Sequence, residues 1–212
     1  FRSYTINMLK LQNNFESFAL HTKINDGVEA MGYDEPTPIQ AQTIPPIIEG
    51  RDVMGLAQTG TGKTAAFVLP ILQRLMDGPR GRLRALIIAP TRELTEQINR
   101  NITQLAKKTK LTSTTVYGGV SIHNQINRLR GKVDIVTACP GRLLDHVERG
   151  TINLAGIENL VSDEGDQRFD IGFLPVIRKI MGHLTKRRQN LLVAATFPAV
   201  IVAMAGAVPT NL

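Results

Sequence analysis

Residues 57–64 read AQTGTGKT and lie between a short apolar run and an apolar helical pattern. No other feature limits the fold as much. Gly60 and Gly62 let the backbone wrap so that its N–H groups point inward, and such a wrap at a helix N-terminus suits phosphate oxygens. Lys63 supplies a point charge for β- and γ-phosphates, and the Thr64 hydroxyl can ligate Mg²⁺. Gln58, Thr59 and Thr61 complete the loop. The strict pattern opens with Gly where this chain has Ala57.

The loop follows the first of six short, nearly continuous apolar runs, at 53–57, 85–89, 113–117, 134–138, 160–163 and 191–195. Runs of that kind are expected of strands buried on both faces. Helical faces alternate with them: Leu94, Ile98, Ile102 and Leu105 recur at helical spacing, as do Phe173, Val176, Ile177, Ile180 and Leu184. The alternation predicts an α/β fold, a doubly wound parallel sheet with helices on both faces. Ligands of such sheets bind at the carboxyl ends of the strands. The fifth run ends there in two carboxylates, Asp163 and Glu164. Asp163 is expected to hold Mg²⁺, and Glu164 to orient or deprotonate an attacking water. Ser162 interrupts the run without a reason visible in sequence.

Composition narrows the setting. One Cys in 212 residues cannot form an internal disulfide, which excludes a disulfide-stapled secreted scaffold. No apolar run approaches the ~18 to 20 residues of a membrane span. A cytoplasmic single domain, with no membrane attachment, is expected. Residues 1–14 lack a signal-peptide pattern and are expected to be a leader, leaving 15–210 as the domain. The net charge of +7 divides unevenly, −3 over residues 1–50 and +10 over the rest. Basic clusters such as Arg80, Arg82 and Arg84, or Arg128, Arg130 and Lys132, point to a polyanionic partner. The four His residues show no close ligand spacing.

Several ordered motifs together resemble the first RecA-like domain of a DEAD-box RNA helicase, a phosphate-loop NTPase. GYDEPTPIQ at 32–40 is similar to the family's Q motif, with Phe15 at its upstream aromatic position. AQTGTGKT stands as motif I, PTREL at 90–94 as motif Ia, and Gly118-Gly119 as the GG motif. CPGR at 139–142, DEGD at 163–166 and AAT at 194–196 stand where the family has TPGR, DEAD and SAT. The phrases GRDVMGLAQTGTGKTAAF and FALHTKINDGVEAMGY most resemble the bacterial RhlE-type branch. The resemblance implies ATP and Mg²⁺ as cofactors and RNA as partner. Gln40 carries a donor and an acceptor suited to the adenine N6/N7 edge, and Phe15 or Tyr33 can stack on the ring. Pro90, Thr91, Arg92, Glu93, Gly118, Gly119, Cys139, Pro140, Gly141 and Arg142 are implied to face RNA backbone. Asp166, Ala194 and Thr196 are implied to couple the two sites.

The departures matter. Gly165 costs about 1 kcal/mol of helix propensity against Ala but leaves the flanking carboxylates in place. Ala194 lacks the motif III hydroxyl, and Cys139 offers a weak donor where the family has Thr. The family works with a second RecA-like domain carrying an arginine finger, worth ~10³ to 10⁵ in rate. No second-domain motif follows Thr196, so slow hydrolysis by this chain alone is expected. The alternatives are a nucleotide-gated RNA-binding module with impaired coupling, or a DNA-directed phosphate-loop helicase or remodeller.

Overall fold

The computed structural model describes residues 14–58, 60–163, 174–185 and 187–194. Six strands form one sheet: β1 (Val53–Leu56), β2 (Ala85–Ile88), β3 (Ser113–Val116), β4 (Ile135–Ala138), β5 (Asn159–Asp163) and β6 (Gln189–Ala194). Each lies within two residues, at either end, of an apolar run read from sequence. All pairings are parallel, in the order β1-β6-β5-β2-β4-β3. The helices are α1 (Thr22–Ala30), α2 (Pro38–Ile48), α3 (Lys63–Met76), α4 (Arg92–Leu105), α5 (Ile122–Arg130), α6 (Pro140–Glu148) and α7 (Leu174–Gly182), after a short 3-10 turn at Phe15–Phe18. Among the described residues no helix is long and apolar enough to cross a membrane.

The period-2 alternation of the strands builds two cores. Ala85, Ile87, Ile135, Val161, Leu191 and Val193 pack with α1, α2, α3 and α4. Leu86, Ile88, Val136, Ala138 and Leu160 face the other way, against α6 and α7. The helical faces read from sequence fall where they should: Ile98, Ile102 and Leu105 are buried on α4, and Ile177 and Ile180 on α7. Phe173 lies outside the described residues.

One basic cluster needs correction. Arg84 does not face an external polyanion. It is buried, and its Nε and Nη2 each lie 2.9 Å from a carboxylate oxygen of Glu158, while Nη1 donates to the Asp77 carbonyl at 2.7 Å. This fork ties the end of α3 to the loop entering β5. It does so at the amino edge of the sheet, away from the phosphate loop. Burying a guanidinium is tolerable only with such pairing.

Gly27 lets α1 approach α4. A Cβ there would stand 2.3 Å from the Leu105 carbonyl oxygen, a backbone atom with no easy retreat. Gly27→Ala gains about 1 kcal/mol of helix propensity but forces two packed helices apart, at about 1–3 kcal/mol. The expected net is a loss of about 1–2 kcal/mol, read by urea unfolding followed by circular dichroism; a gain would contradict the close crossing.

Candidate functional site

β1 delivers the chain into a tight loop in which the Thr61 hydroxyl donates to the Gln58 carbonyl at 2.7 Å. Gly60 and Gly62 have φ of 86° and 89°, the left-handed region that L side chains avoid. Gly62 is doubly constrained. A Cβ there would meet Gln40 Nε2 at 2.5 Å and Thr37 Oγ1 at 3.0 Å. Gly62 is also the N-cap of α3, and no side chain caps that helix. Its first-turn N–H groups are therefore left for an anion.

Lys63 opens α3 with its side chain only 6% exposed, and Nζ has no hydrogen-bond partner among the described residues. A buried ammonium without an anion is costly, so its position fits a phosphate. Thr64 is half-buried beside it. Asp163, the last residue of β5, is 2% exposed. Only β6 separates β5 from β1, which sets the carboxylate and the loop two strand spacings apart, about 10 Å. Ala194 ends β6 between them. Thr59, Glu164, Asp166 and Thr196 lie outside the described residues.

Gln40 is 3% exposed, and both ends of its amide are engaged within the protein. Oε1 accepts from the Thr37 N–H at 2.9 Å, and Nε2 donates to the Gly62 carbonyl at 3.2 Å. Gln40 thus closes the N-terminus of α2 and braces the phosphate loop. The spacing Thr37-x-x-Gln40 is a helix-capping signature, the signal that could have found this role. Phe15 is buried and stacks on Tyr33, with ring centroids 6.2 Å apart and planes 22° off parallel. Tyr33 is half-buried and keeps the accessible ring of the pair.

The other half of the carboxyl edge, formed by β2, β4 and β3, carries the arginines. Thr91 caps α4, accepting from the Leu94 N–H at 3.2 Å. Arg92 follows, exposed, with Cζ 4.9 Å from the centroid of the Tyr117 ring. The Tyr117 hydroxyl donates to Glu96 Oε1, which also accepts from the Thr115 hydroxyl at 3.2 Å. That bond to Glu96, with burial, pushes the phenol above its usual pKa. Gln125 fixes the Tyr117 backbone from both sides, N–H and carbonyl, at 3.1 Å each. Gly118 and Gly119 come next, Gly119 at φ 79°.

Arg142 is more committed than Arg92. Its side chain is 18% exposed, Nη1 donates to the Val120 carbonyl at 3.0 Å, and Nε stands 3.7 Å from Asp145 Oδ2. It therefore braces the loop after Gly119. Cys139 Sγ lies 3.4 Å from Thr95 Oγ1, linking α6 to α4, and burial raises its thiol pKa. Pro140 is buried at the start of α6, Pro90 is half-buried, and Glu93 and Gly141 are exposed. Sequence reasoning missed Tyr117, Glu96, Thr95 and Gln125. The helical spacing of Arg92 and Glu96, and a Tyr directly before Gly118, were the signals available.

Tyr117→Phe is expected to cost about 1–2 kcal/mol at pH 7, because Glu96 loses a donor. The parent phenol has a raised folded pKa, so its contribution is whole below pH 10 and is lost as pH rises past that value. Urea unfolding at pH 7 and pH 10.5 should show the gap between parent and variant narrowing; an equal gap at both would discount the Tyr117–Glu96 bond.

The sequence profile of the DEAD/DEAH box helicase family matches residues 37–204. The chain is 45% identical over 184 residues to the ATP-dependent RNA helicase CshA of Listeria monocytogenes, covering 87% of this chain and 35% of that protein. It is 40% identical to the DEAD-box ATP-dependent RNA helicase CshA of Bacillus anthracis and 39% identical to that of Geobacillus kaustophilus, covering 35% and 39% of those proteins. The chain thus spans little more than a third of the length of these curated relatives.

Proposed function

The chain belongs to the DEAD/DEAH box helicase family, and from that premise we propose that residues 15–210 are the nucleotide-binding lobe of an ATP-dependent RNA helicase. The observation that carries this reading is the buried ammonium of Lys63, which has no hydrogen-bond partner among the described residues and is set behind two left-handed glycines at an uncapped helix N-terminus. A triphosphate would supply an anion for this arrangement.

Mg²⁺ fits the donors available. Among the described residues no cluster of three or more His, Cys, Asp or Glu would cage a metal. The Thr64 hydroxyl and the Asp163 carboxylate are hard oxygen donors, and Mg²⁺ usually combines one or two such groups with phosphate oxygens and waters. The ion would neutralise charge on the β- and γ-phosphates. Lys63 holds and orients those phosphates, and Glu164 orients the attacking water. Adenine would meet Tyr33. Beyond its bonds to Thr37 and Gly62, the Gln40 amide keeps a second hydrogen and a second lone pair, and these would read the base edge.

RNA backbone would lie across Arg92, the Gly118-Gly119 turn and the N-termini of α4 and α6. Arg92 is the arginine with free reach, and Arg142 shapes the turn. The relatives' greater length supports a second lobe supplying the arginine finger, without which hydrolysis is expected to be very slow. Asp166, Ala194 and Thr196 would link the two sites. A cytoplasmic setting suits the free thiol of Cys139.

Lys63→Ala should weaken binding of a fluorescent Mg-ATP analogue by about 10- to 100-fold, the worth of a charge-assisted contact. Arg92→Ala should leave that binding intact, weaken single-stranded RNA binding, and lower its salt slope by about 1. Unchanged nucleotide affinity in Lys63→Ala would refute the pocket.

A further inference from the structure

A cavity lies on the amino edge of the sheet, opposite the phosphate loop and Arg92. It encloses about 520 Å³ between the loops that enter β2, β4 and β5. Its floor is aliphatic: Leu83, Leu129, Val133, Val136 and Ile152. Its cations are Arg82, Arg130 and Lys132, and among the described residues no carboxylate lines it.

These cations are not neutralised locally. Arg130 and Lys132 are exposed and form no ion pair among the described residues. Arg82, 57% exposed, comes only within 4.0 Å of Glu158 Oε1, an oxygen that Arg84 Nε holds at 2.9 Å. Asp134 stands behind the wall, with its oxygens accepting from the N–H groups of Gly81 and Thr112 and from the Thr112 hydroxyl.

Lys132 is also held in a conformation that lysine avoids. Its φ is 64°, while Gly131 before it sits at −74°, so the residue suited to the left-handed turn is one position early. Lys132 packs so closely on Gly81, itself at φ 65°, that a Cβ on Gly81 would stand 2.8 Å from Lys132 Cβ. Glycine at position 132 would make the same turn without strain. The charge is placed on the rim at the expense of local backbone ease.

We infer that this cavity is a docking site for an acidic segment of a partner protein, with an aliphatic side chain on Leu83, Val133 and Val136 and carboxylates against Arg82, Arg130 and Lys132. Charge complementarity sets the sign of the occupant. The aliphatic floor selects peptide over RNA, because the lining holds no aromatic ring on which a base could stack. Its place on the far edge lets it be filled while the carboxyl edge holds nucleotide.

The test selects phage-displayed random dodecapeptides on the 212-residue chain and titrates fluorescein-labelled versions of the enriched sequences by polarisation. Enriched peptides should place Asp or Glu around one aliphatic residue. Their affinity should fall at least tenfold in Arg130→Glu and in Lys132→Gly, and the Lys132→Gly protein should melt at or above the parent's temperature. The opposed signs separate lost binding from lost folding. The inference is overturned by no enrichment over blank support, by peptides indifferent to both substitutions, or by equal displacement with single-stranded RNA.

Discussion

The contact between Gln40 and Gly62 is the constraint on which the phosphate site depends. Gly62 must turn left-handed to start α3, and Gln40 Nε2 lies where any Cβ would go. One hydrogen bond therefore joins the start of α2 to the start of α3, across 22 residues. It fixes where α3 begins, and so where Lys63 enters the interior. The helix itself is buried over much of its circumference by Phe67, Leu69, Ile71 and Leu72, so it does not slide to suit a ligand. These contacts hold the described part of the loop within the protein itself, which would lower the ordering cost of binding a phosphate.

The sheet order then places two sites on one edge. β1, β6 and β5 carry the phosphate loop and Asp163, while β2, β4 and β3 carry Arg92, Cys139 and the Gly118-Gly119 turn. They meet where β5 pairs with β2. Ser162 is level with Ile88, so Asp163 stands beside Ala89, three residues before Arg92. A shift of β5 on nucleotide binding would be felt at the start of α4 through backbone alone. Thr95 touches Cys139 at the start of α6, and Arg142 bonds Val120 after the glycine turn.

The parts legible in sequence are those set by local rules. Strands buried on both faces announce themselves as apolar runs, and a left-handed turn at a helix start needs glycine wherever it occurs. Hence the six strands, the start of α3 and the place of Asp163 at a strand end were all readable. The misread or missed residues depend on partners far along the chain. The bracing role of Gln40 was missed because its bond to Gly62 is tertiary. Arg84 looked like surface because Glu158, 74 residues away, is invisible to a cluster of charges. Gly27 has no motif at all; its need arises only where α1 meets the Leu105 carbonyl. Ser162 remains without a structural reason.

The excess of ten positive charges after residue 50 gives little indication of where anions bind, because the cations have different tasks. Arg84 is neutralised inside the protein, and Arg142 is largely occupied with a carbonyl and an aspartate. Lys63 is buried, and its ammonium has no hydrogen-bond partner among the described residues. Arg92 is exposed but leans on Tyr117, which limits its directions and so its entropy loss on meeting a phosphate. Screening affects these groups differently: an exposed contact such as that of Arg92 weakens steeply with salt, and the buried one of Lys63 much less. On the proposed reading, salt should therefore separate the two halves of the edge, loosening RNA while leaving nucleotide in place. A lobe that holds ATP while releasing RNA would, on that reading, gain that independence from burial, and not from the number of its charges.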